Sequence, residues 1–471
     1  MKRILVTGAT GYVGGRLIPR LLDLGLTVRV LVRDPRRIAG RPWAERVEVA
    51  VGDLLDAPSI ANALRDCHAV YYLVHAMYSG KHYSRIDRDS ALNVLAAIPS
   101  NARIIYLGGL VPAHPRKRLS EHLASRAEVG EVLRRHPNTL EFRAGPIIGS
   151  GSASFEMVRY LTERLPVMVT PQWVMHEVQS ISIRDTLNYL LQALEHSATG
   201  IVDIGSEPIR FRDMMMDYAA ERGLTRRIVP LPVFLPRLAA RWVGFITPIP
   251  NRLALPLVDG MQEPLIGDTS RARELFPGIL PVSYRESVRI TLQKIANGDI
   301  ESRWSGALSE GPTYQLTERE GLIREVRSAI VNAPPERVFD VFTSLGGDKG
   351  WMAWNWAWKF RGGLDYLFGG PGLRRGRRHP TQLLPGEALD FWRVEDVQRP
   401  TFLRLRAEMK LPGNAWLQFE TFPEDDTCRL VQTAVFAPKG LPGEIYWYAL
   451  YPLHGWMFSD MIKAIVREAE A

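Results

Sequence analysis

Cysteine is almost absent: Cys67 and Cys428 are the only two in 471 residues. Two thiols cannot build a disulfide framework or a Cys-rich zinc site. The chain is therefore expected in a reducing, cytoplasmic setting. No uninterrupted apolar run reaches the ~18 residues that span a bilayer. The opening MKRILVTGATG turns glycine-rich after a short apolar stretch, so no secretory signal is expected there. No His-Glu-x-x-His occurs and the histidines have no metal-ligand spacing, so no metal is expected. No internal repeat is present. With 46% hydrophobic and 23% charged residues, the composition excludes a disordered chain or a fibre.

Charge of one sign is not concentrated either. The net charge of +8 lies almost wholly in residues 1–320 and is spread along them. Nucleic-acid binders gather such charge on one face and interleave aromatics, so no nucleic-acid partner is expected. A solvated surface that attracts an anionic cofactor fits better. Nothing in the composition fixes an oligomeric state.

What is present is alternation. Strand-like runs at residues 4–6, 27–32, 47–51, 69–74, 103–107 and 140–142 alternate with helix-like segments at 15–24, 57–65, 88–97 and 120–135. This order predicts an α/β Rossmann fold, a doubly wound parallel sheet with helices on both faces. Residues 1–150 would form its core and 151–300 a substrate lobe. Residues 301–320 are polar, with Gly and Pro, and read as a linker. Residues 321–471 follow as a separate domain.

The sharpest motif is Gly8-Ala-Thr10-Gly11-Tyr12-Val13-Gly14, which follows a strand and opens a helix. Glycine admits a pyrophosphate to the backbone, and the helix N-terminus offers free N–H donors. At the end of the second strand Arg33 and Asp34 compete. An acid there accepts from a ribose 2′-OH, and an Arg pairs with a 2′-phosphate. Arg36 and Arg37 follow at once, which tilts the expectation to NADP, with NAD as the other option. Asp53 and Leu54, at the tip of the third strand, are placed to meet the adenine. Val74 and His75 are expected to line the cofactor cleft, with Gly108 beside them.

TGATGYVGG, LVRDP and GDLLD together resemble the atypical short-chain dehydrogenases of the NmrA-like and epimerase-like branch. The resemblance covers about residues 1–300. It implies an NAD(P) cofactor and, in active members, hydride transfer. It also implies a Tyr and a Lys four residues apart on the helix after the fifth strand, with a Ser ending that strand. This chain departs from that pattern: Gly108 and Gly109 end the strand, and His122 and Arg126 hold the Tyr and Lys positions. Two readings stand. Either His122 is a working acid, titrating near neutral pH, with Arg126 holding the ribose, or the domain binds nucleotide without turnover. Tyr71, Tyr72, Tyr78 and Tyr83 remain as substitute donors. Met214-Met215-Met216 reads as packing.

Eight of the twelve tryptophans fall in residues 321–471. Trp354, Trp356 and Trp358 alternate like one face of a strand. A strand, a helix opened by Pro334-Pro335, strand-like segments at 389–394, 402–410, 415–422 and 428–436, and a helix over 450–470 make up this half. That order resembles the START/Bet v 1-like (SRPBCC) helix-grip fold, an α+β arrangement. More narrowly, Arg361-Gly-Gly-Leu-Asp365, Leu389-Asp-Phe-Trp-Arg393 and Ala407-Glu-Met-Lys-Leu-Pro-Gly-Asn-Ala-Trp416 resemble the DUF2867 domain, which occurs fused to dinucleotide-binding domains in bacterial proteins. An aromatic-lined cavity for a small apolar substrate or ligand is the functional expectation. Arg374, Arg375, Arg377 and Arg378 would suit a phosphate or carboxylate, or pair internally with Asp365, Asp390 and Glu408. The proline-broken apolar stretch 228–258 is expected as a bed for the second domain, with a substrate lid or a peripheral membrane contact as its other uses.

Overall fold

The computed structural model describes residues 2–471 except 39–40, 77–82, 113–118, 232–258, 261–262, 298–313, 320, 347–348, 368–382 and 425–426. The chain divides into two compact units, Met1–Trp304 and Ser305–Ala471. Much of the expected linker, most of the 228–258 stretch, Tyr78 and the arginines at 374–378 lie outside the described residues.

In the first unit, the elements run β1 (Arg3–Thr7), α1 (Tyr12–Asp23), β2 (Thr27–Val32), β3 (Glu48–Val51), α2 (Ala57–Leu64), β4 (Ala69–Tyr72), α3 (Tyr83–Ala97), β5 (Arg103–Gly109), α4 (Glu121–Leu133) and β6 (Thr139–Ala144). There follow β7 (Ile147–Ile148), α5 (Ala153–Arg164), β8 (Val167–Pro171), β9 (Glu177–Val178), β10 (Ile181–Ser182), α6 (Ile183–Gln192) and β11 (Gly200–Ile204). The unit closes with β12 (Ile209–Arg210), α7 (Phe211–Arg222), β13 (Arg227–Leu231), α8 (Ser270–Leu275) and α9 (Tyr284–Asn297).

Seven strands form one sheet in the order β11-β6-β5-β4-β1-β2-β3, every pair parallel. The chain winds outward from β1 in one direction and then from β4 in the other. The crevice at that reversal, beyond the carboxyl ends of β1 and β4, is where such sheets take ligands. β5 is buried almost throughout, as a strand covered by helices on both faces must be. Its own Ile105 shares one core with Leu140, Phe142 and Tyr71 of the neighbouring strands, and with α1 and α6. Val70, Tyr72, Ile104 and Tyr106 share another with α2, α3 and α4.

Two expectations need correction here. The sheet has a seventh strand, β11, paired parallel to β6. The Gly200–Ile204 run lies far along the chain from β6, behind the elements of the lobe, so local alternation does not announce it. Tyr71 and Tyr72 are core residues and not proton donors to a substrate. The Tyr71 hydroxyl donates to the Leu190 carbonyl at 2.8 Å, and Tyr72 packs edge-on against Tyr106 in the helix layer.

One buried ion cluster ties α4 to this sheet. Glu141, on β6, is 1% exposed. It accepts from Arg134 and from Arg143 Nε at 2.8 Å. A Cβ on Gly130 would lie 2.5 Å from its carboxylate, so α4 approaches the strand closely only because glycine stands there.

The second unit comprises β14 (Tyr314–Arg319), β15 (Leu322–Val331), α10 (Pro335–Thr343), α11 (Asn355–Leu367), β16 (Ala388–Leu389), β17 (Trp392–Gln398), β18 (Phe402–Ala407), β19 (Gly413–Glu424), β20 (Thr427–Pro438) and α12 (Gly440–Glu470). Its seven strands form an antiparallel sheet, β14-β15-β20-β19-β18-β17-β16. The 31-residue α12 buries Trp447, Phe458, Met461 and Ile465 in the same core as the inner face of the sheet and α10. This arrangement is compatible with the helix grip.

The Trp-rich segment is not a strand. Trp358 belongs to α11, and Trp351, just before it, stacks near Trp358 with ring centroids 5.5 Å apart. The non-helical stretch before α11, with positive φ at Met352 and Trp354, turns Trp351 into the core beside Trp358, whereas Trp356 stands out at 65% exposure. Helix α12 also begins ten residues earlier than expected. Pro442 sits in its first turn, where a missing N–H costs nothing, and Pro452 lies inside the helix. Among the expected ion partners, Asp365 accepts from the Lys410 backbone N–H at 2.7 Å and Asp390 from Trp351 Nε1 at 2.9 Å. Glu408 holds Arg393, with Nε 2.6 Å away.

Candidate functional site

The glycine loop is built by contact distances no other residue allows. Gly8 has φ +74°, and a Cβ on it would meet the Leu73 carbonyl oxygen at 2.7 Å. A Cβ on Gly11 would lie 3.0 Å, and one on Gly14 2.3 Å, from the Gly8 carbonyl oxygen. The Gly11 N–H donates to that same oxygen at 2.9 Å, closing the turn. Gly11 is then the N-cap of α1 and caps it with no side chain, and no acidic residue follows in the first turn. The helix therefore presents its N–H groups and positive dipole end without a carboxylate in competition.

Neighbouring residues fix this loop. Thr7 Oγ1 donates to the Tyr71 carbonyl at 3.0 Å and accepts from the Leu73 N–H at 3.2 Å, locking β1 to the exit of β4. The Val74 side chain lies 3.3 Å from where a Gly8 Cβ would be. Thr10 is half-buried in the turn, Val13 packs on the sheet core, and Arg16 lies 4.1 Å over the Tyr12 ring. A Cβ on Gly149 would meet the Tyr12 hydroxyl at 2.4 Å.

Arg33 is exposed and Asp34 half-buried just past β2, and Arg37 is exposed in the short 3₁₀ turn Pro35–Arg37. The sequence reading missed Arg41. Its Nη1 lies 3.8 Å from the Cβ position of Gly15, beside the first turn of α1, so the tilt toward positive charge extends to the phosphate end. Four arginines within nine residues signal the positive charge here, though not where Arg41 lies. Asp53 closes the tip after β3 by accepting from the Leu55 N–H at 3.0 Å. Leu54 is buried, and its carbonyl accepts from Asn93 Nδ2 at 3.0 Å.

Around the end of β5 the structure gathers His75, His122 and Arg126. Arg126 Nη2 donates to the Leu107 carbonyl at 2.7 Å, and its Nε lies 3.2 Å from the Cβ position of Gly109. Gly109 is therefore what lets this guanidinium lie across the strand end. Gly108 turns the other way: a Cβ there would meet the Tyr106 ring and Glu141. The rings of His75 and His122 are 6.0 Å apart. Burial, and then the charge of Arg126, push both imidazoles down to about 3. At neutral pH His122 is therefore a neutral imidazole. This differs from the expected titration near neutral pH, because the helix packing withdraws the ring from water.

A residue absent from the sequence reading holds this group in place. Asp87, on α3, is 4% exposed. Its carboxylate accepts from the Ala76 N–H at 2.6 Å and from the Ser125 hydroxyl at 2.9 Å. It thus pins the segment carrying His75 to the helix carrying His122 and Arg126. Burial raises its pKa. Asp87→Ala leaves both donors without this partner and is expected to cost about 2–3 kcal/mol, read as a lower urea midpoint. Tyr83 is buried, its hydroxyl pushed up to about 12 by burial and nearby carboxylates, so it is no ready acid. Among the described residues no group of three or more His, Cys, Asp or Glu side chains is placed to hold a metal.

The residues present fit a dinucleotide: a loop whose three glycine positions leave no room for a Cβ, an uncapped helix N-terminus and a cationic rim. Comparison with known proteins agrees. Residues 8–135 match the NAD(P)H-binding family, and residues 321–461 match the protein of unknown function DUF2867. The ceramide reductase of Caulobacter vibrioides is 28% identical over 238 residues, 49% of this chain and 73% of that protein. A dihydroflavonol 4-reductase of Zea mays is 38% identical over 81 residues, 16% of this chain and only 23% of that protein. Among solved structures, the triphenylmethane reductase of Citrobacter sp. is 18% identical at a TM-score of 0.48, covering 62% of this chain and 99% of that one. The chain carries an NAD(P)H-binding Rossmann domain followed by a DUF2867 domain.

Proposed function

We propose that the chain is an NADP-linked reductase acting on a lipophilic carbonyl compound, which the second unit holds or delivers. The observation that carries this reading is the glycine cradle opening beside Arg33, Arg37 and Arg41. Guanidinium forks recognise phosphate oxygens in pairs, so the exposed Arg33 is assigned to the 2′-phosphate. The similarity to a ceramide reductase and the tryptophan-rich second unit support a lipophilic substrate.

When bound, the cofactor supplies hydride to the carbonyl carbon. His122 then donates a hydrogen bond to the carbonyl oxygen, and solvent supplies the proton that completes the alcohol. Arg126 fixes a positive charge at the end of β5, where negative charge develops on that oxygen. Asp53 and Leu54 border the adenine end, and Val74 and His75 the nicotinamide end. One observation favours a second reading, a nucleotide-binding sensor or carrier without turnover. Glycine stands where the assisting Ser is expected, and His122 is neutral where an acid is required.

Fluorescence titration with NADPH and NADH, followed by NADPH consumption on long-chain ketones, separates these readings. Arg33→Glu is expected to weaken NADPH binding by about tenfold to a hundredfold, the loss of one charge-assisted contact, and to leave NADH binding unchanged. His122→Ala is expected to slow turnover by about a hundredfold. Tight NADPH binding with no consumption on any carbonyl tested would establish the sensor.

A further inference from the structure

The second unit carries an outward apolar face that its own core does not use. On α12, Leu441, Ile445, Tyr448, Pro452 and Trp456 recur at intervals of four, three, four and four residues. On an α-helix they form one stripe about 80° wide and roughly 22 Å long. Ile445 is 58% and Trp456 64% exposed. The opposite side of the helix carries Trp447, Met457, Phe458 and Met461 into the core. Helix α11 adds Trp356 and Phe360, each 65% exposed and one turn apart. The residue just before α11 touches α12. Trp354 Nε1 donates to Asp460 Oδ2 on α12 at 2.8 Å, and the Trp354 and Trp356 rings are 5.8 Å apart.

The charges bordering this face are mostly positive: Lys463 is exposed beside the half-exposed Asp460, 3.9 Å away. Lys439 precedes α12 and Lys410 tops the neighbouring hairpin, both exposed. The hairpin packs on α12, because the Lys439 N–H donates to the Pro412 carbonyl at 2.9 Å. It also meets α11, because Arg361 Nη2 donates to the Lys410 carbonyl at 3.3 Å. The carboxylates on these elements are withdrawn or engaged. Asp365 and Glu444 are buried, Glu408 holds Arg393, and Asp460 accepts from Trp354. From Gly440 to Ser459 there is no lysine, arginine or aspartate.

We propose that this face, the α11/α12 stripe with Lys410 and Lys439, docks on the surface of an anionic phospholipid bilayer. Exposed Trp and Tyr rings favour the headgroup layer. A narrow apolar stripe beside lysines, its one half-exposed acid, Asp460, lying 3.9 Å from Lys463, is the pattern of a helix lying in that layer. No helix among the described residues is long and apolar enough to cross a membrane, so the contact is peripheral. This proposal is independent of hydride transfer.

Flotation of the full chain with phosphatidylcholine–phosphatidylglycerol vesicles, without nucleotide, tests it. The parent is expected to float with these vesicles and much less with phosphatidylcholine alone. Ile445→Glu with Trp456→Glu, and independently Trp356→Ala with Phe360→Ala, should lower partition by on the order of tenfold. Lys410→Gln and Lys439→Gln should each lower it by about fivefold. Unchanged thermal midpoints in the variants separate lost docking from lost folding. Absence of flotation overturns the proposal. So does flotation insensitive to both apolar pairs, or equal partition on neutral vesicles. So does concentration-dependent self-association that the same substitutions abolish, because a second copy would then be the occupant.

Discussion

Replacing Gly14 with alanine is expected to raise the Kd for NADPH by about a hundredfold or more while the chain still folds. The added methyl would sit 2.3 Å from the Gly8 carbonyl oxygen and 2.9 Å from its carbonyl carbon. Both are backbone atoms, so no side chain can swing away. The loop or the first turn of α1 must move instead, and a displacement near 1 Å is enough to lose about a hundredfold in a positioned contact. The structural cost of such overpacking is about 1–3 kcal/mol, which a unit of this size survives. Gly25→Ala is the control. Gly25 also has positive φ, +74°, but nothing lies within 4 Å of its Cβ position. Alanine there adds only the strain of a left-handed residue, about 1–2 kcal/mol, and leaves the cofactor loop intact. Titration of NADPH fluorescence against both variants, with melting curves for each, decides the matter. If Gly14→Ala binds NADPH like the parent, the loop is not the pyrophosphate site.

The glycine loop was legible because its requirement is local: three positions close one turn, and no distant residue decides whether a Cβ fits. The order of strands 1 to 6 was legible for a similar reason, since each strand and its following helix carry their own periodicity. Arg41 was not, because what matters is its approach to Gly15 across a 3₁₀ turn, which spacing does not report. Asp87 was not, because it looks like one more acid on an amphipathic helix. Its role comes from the Ala76 N–H and the Ser125 hydroxyl, eleven residues behind it and thirty-eight ahead. The alternating tryptophans misled because period 2 over three residues is too short to tell a strand from the entry of a helix. The front half of α12, which holds Pro442 and Pro452, lies outside the expected helix. In fact the first sits where a helix tolerates proline, and the second is carried by the core packing on either side. His122 and Arg126 were correctly placed on the helix after β5. The protonation state of His122 was not foreseen, because it depends on burial beside His75 and Arg126.

That protonation state yields the second large effect, a loss of stability in mild acid. His75 and His122 titrate near 6.5 in the unfolded chain and are pushed down to about 3 in the fold, by burial first and Arg126 second. Above pH 6.5 both states carry neutral rings and the pair adds no pH dependence. Below it the unfolded chain takes up protons that the folded chain refuses. Stability therefore falls as pH drops from about 6.5 toward 3. Each ring contributes up to about 1.4 kcal/mol per pH unit, so the pair gives a slope near 2.7 kcal/mol per unit. His454 in the second unit, pushed down to about 4 by burial and Arg361, adds a similar term to that unit alone. The measurement is urea unfolding of the parent and of His75→Gln with His122→Gln at a series of pH values from 7 to 4. The difference between the two proteins cancels His454 and the carboxylates. That difference is expected to shift steadily in favour of the variant as pH falls, because glutamine takes up no proton. Arg126→Met should flatten the parent's slope in part, since burial remains when the positive charge is gone. A difference that stays constant from pH 7 to 4 would mean that both rings charge freely in the folded protein. His122 would then regain the role of a proton donor titrating near neutral pH.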